Sequence, residues 1–176
     1  MPELRPAEHA DIPRLHSLIA LSGRVLSADY YSPPQAEAIT RYVFGVDTQL
    51  IDDRTYFVIE HSKDIVACGG WSKRRTLFGG DQTKSGPDPL LDSSRESARI
   101  RAFFVAPSMA RRGLGRQLMA ACIAASKQEG FNSLELVATS PGEPLYLAAG
   151  FSVLERFNLN LPGNIEVPVC RMRMAI

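Results

Sequence analysis

A mixed α/β fold is predicted for this chain, and three observations predict it. Runs rich in β-branched and aromatic residues alternate with stretches of helical periodicity. A strand, a loop, a helix and a second strand follow one another between residues 98 and 137, an order that implies a right-handed crossover between parallel strands. The chain has 176 residues, 45% of them apolar and 22% charged, which suits one domain, here residues 1–176, with a single sizeable core.

The first half is read as helices followed by a hairpin. Leu4-Arg5-Pro6 forms a short opening strand. Asp11 precedes Ile12-Pro13, a capping residue with proline in the first turn, and Ile12, Leu15, Leu18 and Ile19 recur at helical spacing. A second helix starts at Ser32-Pro33-Pro34, continues through Ile39, Tyr42 and Val43, and ends at Gly45. Ser27–Tyr31 is the turn between them. Thr55–Ile59 and Ile65–Cys68 read as strands, the second running through Trp71 towards Leu77, joined by the hairpin connection Glu60–Asp64. From Gly79 to Ser94, eleven of sixteen residues are Gly, Pro, Ser or Asp, which makes this a long loop inserted between strands.

The second half carries the crossover. Ala98–Val105 is a strand ended by Pro107; Gly113–Glu129 is a helix with Leu114, Leu118, Cys122 and Ala125 on one stripe; Gly130 closes it. Leu134–Val137 is the next strand. A short helix at Pro144–Ala149 and two closing strands, Ser152–Leu159 and Val167–Met174, complete the domain.

Composition excludes several functions. Twenty Lys+Arg against nineteen Asp+Glu give a net charge of +1, without the basic excess of a nucleic-acid footprint. No apolar run is long enough for a membrane span, and the N-terminus lacks the apolar stretch of a signal peptide. Cys68, Cys122 and Cys170 are odd in number and far apart, which favours a reducing compartment, the cytoplasm. His9, His16 and His61 show no metal-ligand spacing with them, so no metal is expected. No Gly-x-Ser-x-Gly elbow is present.

Chemistry concentrates where the second-half loop becomes a helix, at Arg111-Arg112-Gly113-Leu114-Gly115-Arg116. The first turn of a helix has amide hydrogens without internal partners, and its dipole favours negative charge. Two glycines let an anion approach the backbone, and three arginines add fork-shaped donors. The same pattern is also what a tight turn with a solvated cationic rim would show. A Rossmann turn fails because Leu118 occupies its third glycine position and the glycines start too far beyond Val105. A P-loop fails because Thr83, not glycine, precedes Lys84-Ser85.

Phe103-Phe104-Val105-Ala106-Pro107, followed by Ala110 to Leu118, resembles the acetyl-CoA-binding motif of the GNAT superfamily of N-acetyltransferases. Leu145-Tyr146-Leu147-Ala148-Ala149-Gly150-Phe151 resembles its second signature, in the family's order. The resemblance covers about residues 55–160, and the N-terminal helix pair suits it. It implies a mostly antiparallel sheet with one parallel β-α-β crossover and helices on both faces. It further implies that the backbone of Phe103, Phe104 and Val105 binds pantetheine as an added strand would. The amides of Arg111, Arg112, Gly113, Leu114, Gly115 and Arg116 would hold the pyrophosphate of acetyl-CoA, the co-substrate. One departure is Ala110, where the family often has Arg or Gln; it removes one side-chain contact and leaves the amide cradle.

Direct acetyl transfer needs an acid for the departing sulfur and a base for the amine. Tyr146 matches the family position of the acid, and as a plain helix residue it would cap the core beside Phe151. Glu96 and Glu135 are the candidate bases, with ordered water as a third route; Arg99 stands roughly where some relatives have glutamate. Asp29, Tyr30, Tyr31 and Trp71 are expected to line the acceptor pocket, the acid holding a cationic amine between aromatic walls. Arg74-Arg75 would instead attract an anionic acceptor, and interhelix packing is the other use for the aromatics. The expected function is acetylation of a small-molecule amine, less a peptide or protein amine. Its competitor is a non-catalytic acyl-CoA sensor or interaction module. The closing strand pair is compatible with a homodimer.

Overall fold

The computed structural model describes residues 1–176. In chain order the elements are β1 (Glu3–Pro6), α1 (Ile12–Ser27), α2 (Pro33–Tyr42), α3 (Thr48–Asp52), β2 (Tyr56–His61) and β3 (Asp64–Ser72). They continue with β4 (Ala98–Val105), α4 (Leu114–Gln128), β5 (Ser133–Thr139), α5 (Glu143–Ala149), β6 (Ser152–Leu161) and β7 (Ile165–Ala175). The strands form one sheet in the order β1-β2-β3-β4-β5-β7-β6. Every neighbouring pair is antiparallel except β4 and β5. The expected sheet, with a single parallel crossover through α4, is the one observed.

Two apolar layers sandwich the sheet, and strand alternation assigns each residue to one of them. Ile100, Leu134, Leu136, Cys170 and Met172 join Met119 and Cys122 of α4 and Tyr146 of α5 on one face. Tyr56, Val58, Cys68 and Phe104 join Leu15, Leu18 and Ile19 of α1 on the other. Tyr31, Ile39 and Val43 pack α2 on Val167 of β7. Helices therefore cover both faces.

Local chemistry explains the helix starts. Ser32 accepts from the amide of Gln35 while the Gln35 side chain accepts from that of Ser32, a reciprocal cap with proline in the first turn. Three expectations for the first half change, the first being that β3 stops at Ser72 instead of running towards Leu77. The second helix stops at Tyr42, and Gly45 is not its end: a β-carbon there would stand 2.7 Å from the Gln82 side chain, so this glycine admits the long loop. The sequence reading also misses α3, a five-residue helix capped by Asp47, whose carboxylate accepts from the Gln49 amide; five residues show no periodicity.

The long loop is pinned rather than loose. Arg74 pairs with Leu90 as an isolated bridge. Arg101, only 2% exposed, points out of β4 and donates to Asp47 at 3.0 Å and to the carbonyls of Thr76 and Gly79. Lys84 returns to the same Asp47 at 2.7 Å. A charged residue at the centre of a predicted strand thus ties the loop to the stretch between α2 and α3.

Candidate active site

The parallel pair separates almost as soon as it forms. Ala98 pairs with Leu134 and Arg99 with Glu135, and there the ladder between β4 and β5 ends. From Ile100 to Val105 the edge of β4 facing β5 has no ladder partner. A bulge reshapes the same stretch. Cys68 faces Phe104 and Gly70 faces Arg101, so β4 carries one more residue than β3. The backbone places Ala102 at φ +53°, a left-handed conformation costly for alanine, and Tyr56 donates its hydroxyl to the Ala102 carbonyl at 2.8 Å. The bulge leaves Phe103 on the α4/α5 face while Phe104 packs on the α1 side, 5.0 Å from the ring of Phe44. Val105 is half-buried and packs near Leu114 and Leu118. Gly69 makes room for this, because a β-carbon there would collide with the Phe103 ring.

Beyond β4 the chain makes a 3-10 turn at Pro107–Met109 and enters α4. Arg111 (φ +61°) and Gly113 (φ +84°) are both left-handed, and alternation of this kind turns successive amides toward one concavity. The amides of Arg111 to Arg116 donate to no protein group, and α4 has no side-chain cap. Six consecutive donors lie at one helix mouth. Arg111, Arg112 and Arg116 are exposed and enter no ion pair. The two glycines differ in their work. A β-carbon at Gly113 would meet nothing within 4 Å, whereas one at Gly115 would stand 2.9 Å from Leu145. Gly113 opens the mouth, and Gly115 lets α5 pack on α4.

That packing positions Tyr146. Its ring lies 6.2 Å from Phe103 and 5.9 Å from Phe151, centroid to centroid. The residue is 9% exposed. Its hydroxyl bonds no protein atom and is not fully enclosed. Burial pushes the phenol well above its usual value, because removing water disfavours the phenolate.

The two candidate bases occupy different places. Glu135 stands at the last rung of the parallel ladder, its carboxylate 3.4 Å from Arg99, on the sheet face opposite Tyr146. Glu96 lies ahead of β4, accepts from the Asp92 amide at 2.8 Å and has Arg75 at 3.8 Å; it serves a turn.

The acceptor residues do not assemble as expected. Trp71 is 2% exposed and packs in the core on the α4/α5 face, edge-on to Phe131, because it alternates with residues that face α1. Tyr30 is 54% exposed, and Asp29 is exposed with no partner. Tyr31 is buried, donating to the Pro168 carbonyl at 2.7 Å and accepting from the Ser140 amide at 2.8 Å, so it clasps the helix turn to β5 and β7. Arg74 is satisfied by Asp53 at 2.7 and 2.9 Å. Sequence reasoning overlooked Arg171 on β7 and the depth of Arg101. Charged residues alternating with apolar ones in a strand were the available signal.

All three cysteines are free and buried. No group of three or more His, Cys, Asp or Glu is placed to hold a metal ion. No helix is long and apolar enough to cross a membrane.

Comparison with known proteins agrees with this geometry. The GCN5-related N-acetyltransferase of Rhodopseudomonas palustris superposes with a TM-score of 0.71 at 18% identity, covering 100% of this chain and 96% of that one. PaiA N-acetyltransferase of Thermoplasma acidophilum, solved in complex with coenzyme A, gives 0.67 at 13% identity, covering 100% and 99%. YncA of Salmonella typhimurium, solved with its cofactor acetyl-CoA, gives 0.66 at 15%, covering 99% and 94%. No curated protein matches the sequence. The model of the acetyltransferase (GNAT) family matches residues 20–151, three quarters of the chain. The bulged strand, the separating parallel pair and the uncapped helix mouth all fall within that match, and the chain belongs to the GNAT acetyltransferase family.

Proposed function

We propose that this chain moves the acetyl group of acetyl-CoA, the co-substrate of its family, directly to the amine of a small molecule. One observation carries the reading: six unpartnered amides at the mouth of α4, beside a strand edge that β5 leaves unpaired after Arg99. Clustered amides at a positive helix end suit a diphosphate, and an unpaired strand edge suits an extended amide-bearing arm such as pantetheine. Arg111 to Arg116 would hold the first, and Phe103, Phe104 and Val105 the second. The bound thioester supplies an acyl carbon open to attack by an amine.

The chain supplies the proton handling. Tyr146, buried with its phenol raised, keeps its proton at neutral pH and delivers it to the departing sulfur. Glu135, on the opposite sheet face at the end of the ladder, takes the proton that the amine gives up, directly or through water. Acid and base thus stand on opposite sides of the gap between β4 and β5. Glu96 is committed to its turn, which favours Glu135. The clasp of Tyr31 on Pro168 and Ser140, with Gln35 donating to the Glu166 carbonyl at 2.8 Å, closes down the acceptor side and favours a small acceptor. The buried free thiols support a cytoplasmic setting.

The test is to incubate the protein with acetyl-CoA and a panel of amines, follow free thiol, and titrate coenzyme A by calorimetry. Saturable binding with thiol release on at least one small amine is expected. Tight binding with no release across the panel would make the chain an acyl-CoA sensor, and no binding would remove the site.

A further inference from the structure

On the sheet face opposite Tyr146, at the foot of the gap between β4 and β5, two arginines are left incompletely paired. Five arginines of the chain are not exposed: Arg5, Arg74, Arg99, Arg101 and Arg171. Three of them meet a carboxylate at 3.0 Å or less, Arg5 on Asp11, Arg74 on Asp53 and Arg101 on Asp47. Arg99 does not. Its Nη1 donates to the Ser97 carbonyl at 3.1 Å and reaches Glu135 only at 3.4 Å, and its Nε is fully enclosed without a partner. Arg171 is a stronger case, since its Nε is also enclosed without a partner and none of its side-chain nitrogens bonds a protein group. A buried donor left unpaired is costly, and more so when charged.

The register puts the pair within common reach. Arg99 faces Glu135, and Arg171 faces Val137 on the other side of β5. They stand two strand spacings apart across the sheet and two residues apart along it, roughly 12 Å between backbones, which two arginine side chains span. Glu135 lies between them, Arg173 faces Glu135, and Glu155 faces Arg171. By register, Arg99, Arg171 and Arg173 are thus neighbours of Glu135 and Glu155. Burial above all holds the Arg99 guanidinium below its usual value, against the pull of Glu135 and Glu96 and with smaller repulsion from Arg171 and Arg75.

We infer that Arg99 and Arg171 receive a carboxylate of the acceptor, so that the amine acetylated here belongs to an amino-acid-like molecule rather than to a polycation. Nη1 of Arg99 is occupied and its Nε enclosed, which leaves Nη2 of Arg99 and the terminal nitrogens of Arg171 as charged donors to the two oxygens of a carboxylate. With the carboxylate held there, Glu135 stands beside the amine and the gap to Tyr146 lies above it. Asp29, exposed on the helix turn, is then not the acceptor's anchor. The inference rests on the proposed acetyl-transfer site, and its test separates the two.

Thiol release is to be measured with amino acids against the amines left by removing their carboxyl group, alongside melting of the coenzyme A-saturated protein with N-acetyl amino acids or their amides. The wild type should prefer a carboxylate-bearing acceptor by about 10²-fold in kcat/KM, the scale set by unpairing a buried charge. Arg171→Gln should bring that ratio to within about tenfold of parity, chiefly through KM, and Arg171→Lys should restore part of it. N-acetyl amino acids should raise the melting temperature where their amides do not. Coenzyme A affinity, measured separately, reports on the donor site. If coenzyme A binds but amines without a carboxylate are preferred, or no N-acetyl amino acid stabilises the protein, this inference fails while the donor site stands. If coenzyme A itself does not bind, the donor site fails first.

Discussion

Gly113 offers a clean separation of folding from binding. Its φ of +84° is left-handed, and a β-carbon there would touch nothing within 4 Å. Replacing it with alanine therefore costs only the backbone strain, about 1–2 kcal/mol, partly offset by about 0.4–1 kcal/mol from a stiffer unfolded chain. A net loss of about 1 kcal/mol lowers Tm by roughly 2–4 °C for a chain of this length. Glutamate at the same exposed position adds no clash, so Gly113→Glu should melt close to Gly113→Ala. Binding should differ sharply. A carboxylate at the mouth of α4 opposes the two phosphate charges at about 1 kcal/mol each in water-like surroundings, or about thirtyfold in Kd. Calorimetric titration with coenzyme A reads this directly, and repeating it at high salt should shrink the gap between the variants, since exposed charges are screened. If Gly113→Glu folds like Gly113→Ala and binds coenzyme A as the wild type does, the amides of α4 do not hold the diphosphate.

Three further outcomes follow from the geometry. Tyr146→Phe keeps the ring contacts with Phe103 and Phe151 and removes only the hydroxyl, so kcat should fall about 10²-fold with coenzyme A affinity unchanged; stopped-assay thiol release alongside calorimetry decides it, and unaltered kcat refutes the acid role. Asp47→Asn strips the carboxylate partner from Arg101, both side chains being 1% exposed, and leaves Lys84 only Asp88 at 3.5 Å; breaking such a buried pair costs about 3–5 kcal/mol, a drop of about 10 °C in Tm that a loop held by backbone contacts alone would not show. Asp11 is held well below its usual 3.8, chiefly by the hydrogen bond from Arg5. Because its folded value lies below the unfolded one, the stability it contributes is present above about pH 4 and lost as pH falls further. Asp11→Asn should be less stable at neutral pH and lose less on acidification; parallel acid-melting curves for the two proteins would contradict this.

Much of the architecture was legible in the chain because periodicity and punctuation are local. Ser32-Pro33 announces a helix start through hydrogen bonds within four residues, and Ala98–Val105 reads as a strand with its observed bounds. The helix mouth was legible too, since an amide in the first turn lacks a partner wherever no cap follows. The acceptor side was not. Trp71 and Tyr31 look alike as aromatic walls in one dimension, but alternation sends the first into the core and a hydroxyl between two strands fixes the second. The bulge at Ala102, which decides that Phe103 and not Phe104 faces Tyr146, has no sequence mark, because a left-handed alanine is imposed by the pairing of β3 with β4.

By itself, then, the order of residues determined the alternation of strands and helices, the parallel crossover and the donor-rich loop, all of which depend on neighbours a few positions apart. Tertiary structure alone decided where β4 leaves β5, which arginines find carboxylates and which do not, and which side of the sheet each charged residue faces. Those outcomes depend on strands brought together from positions dozens of residues apart, where one added residue in a ladder turns every later side chain to the other face.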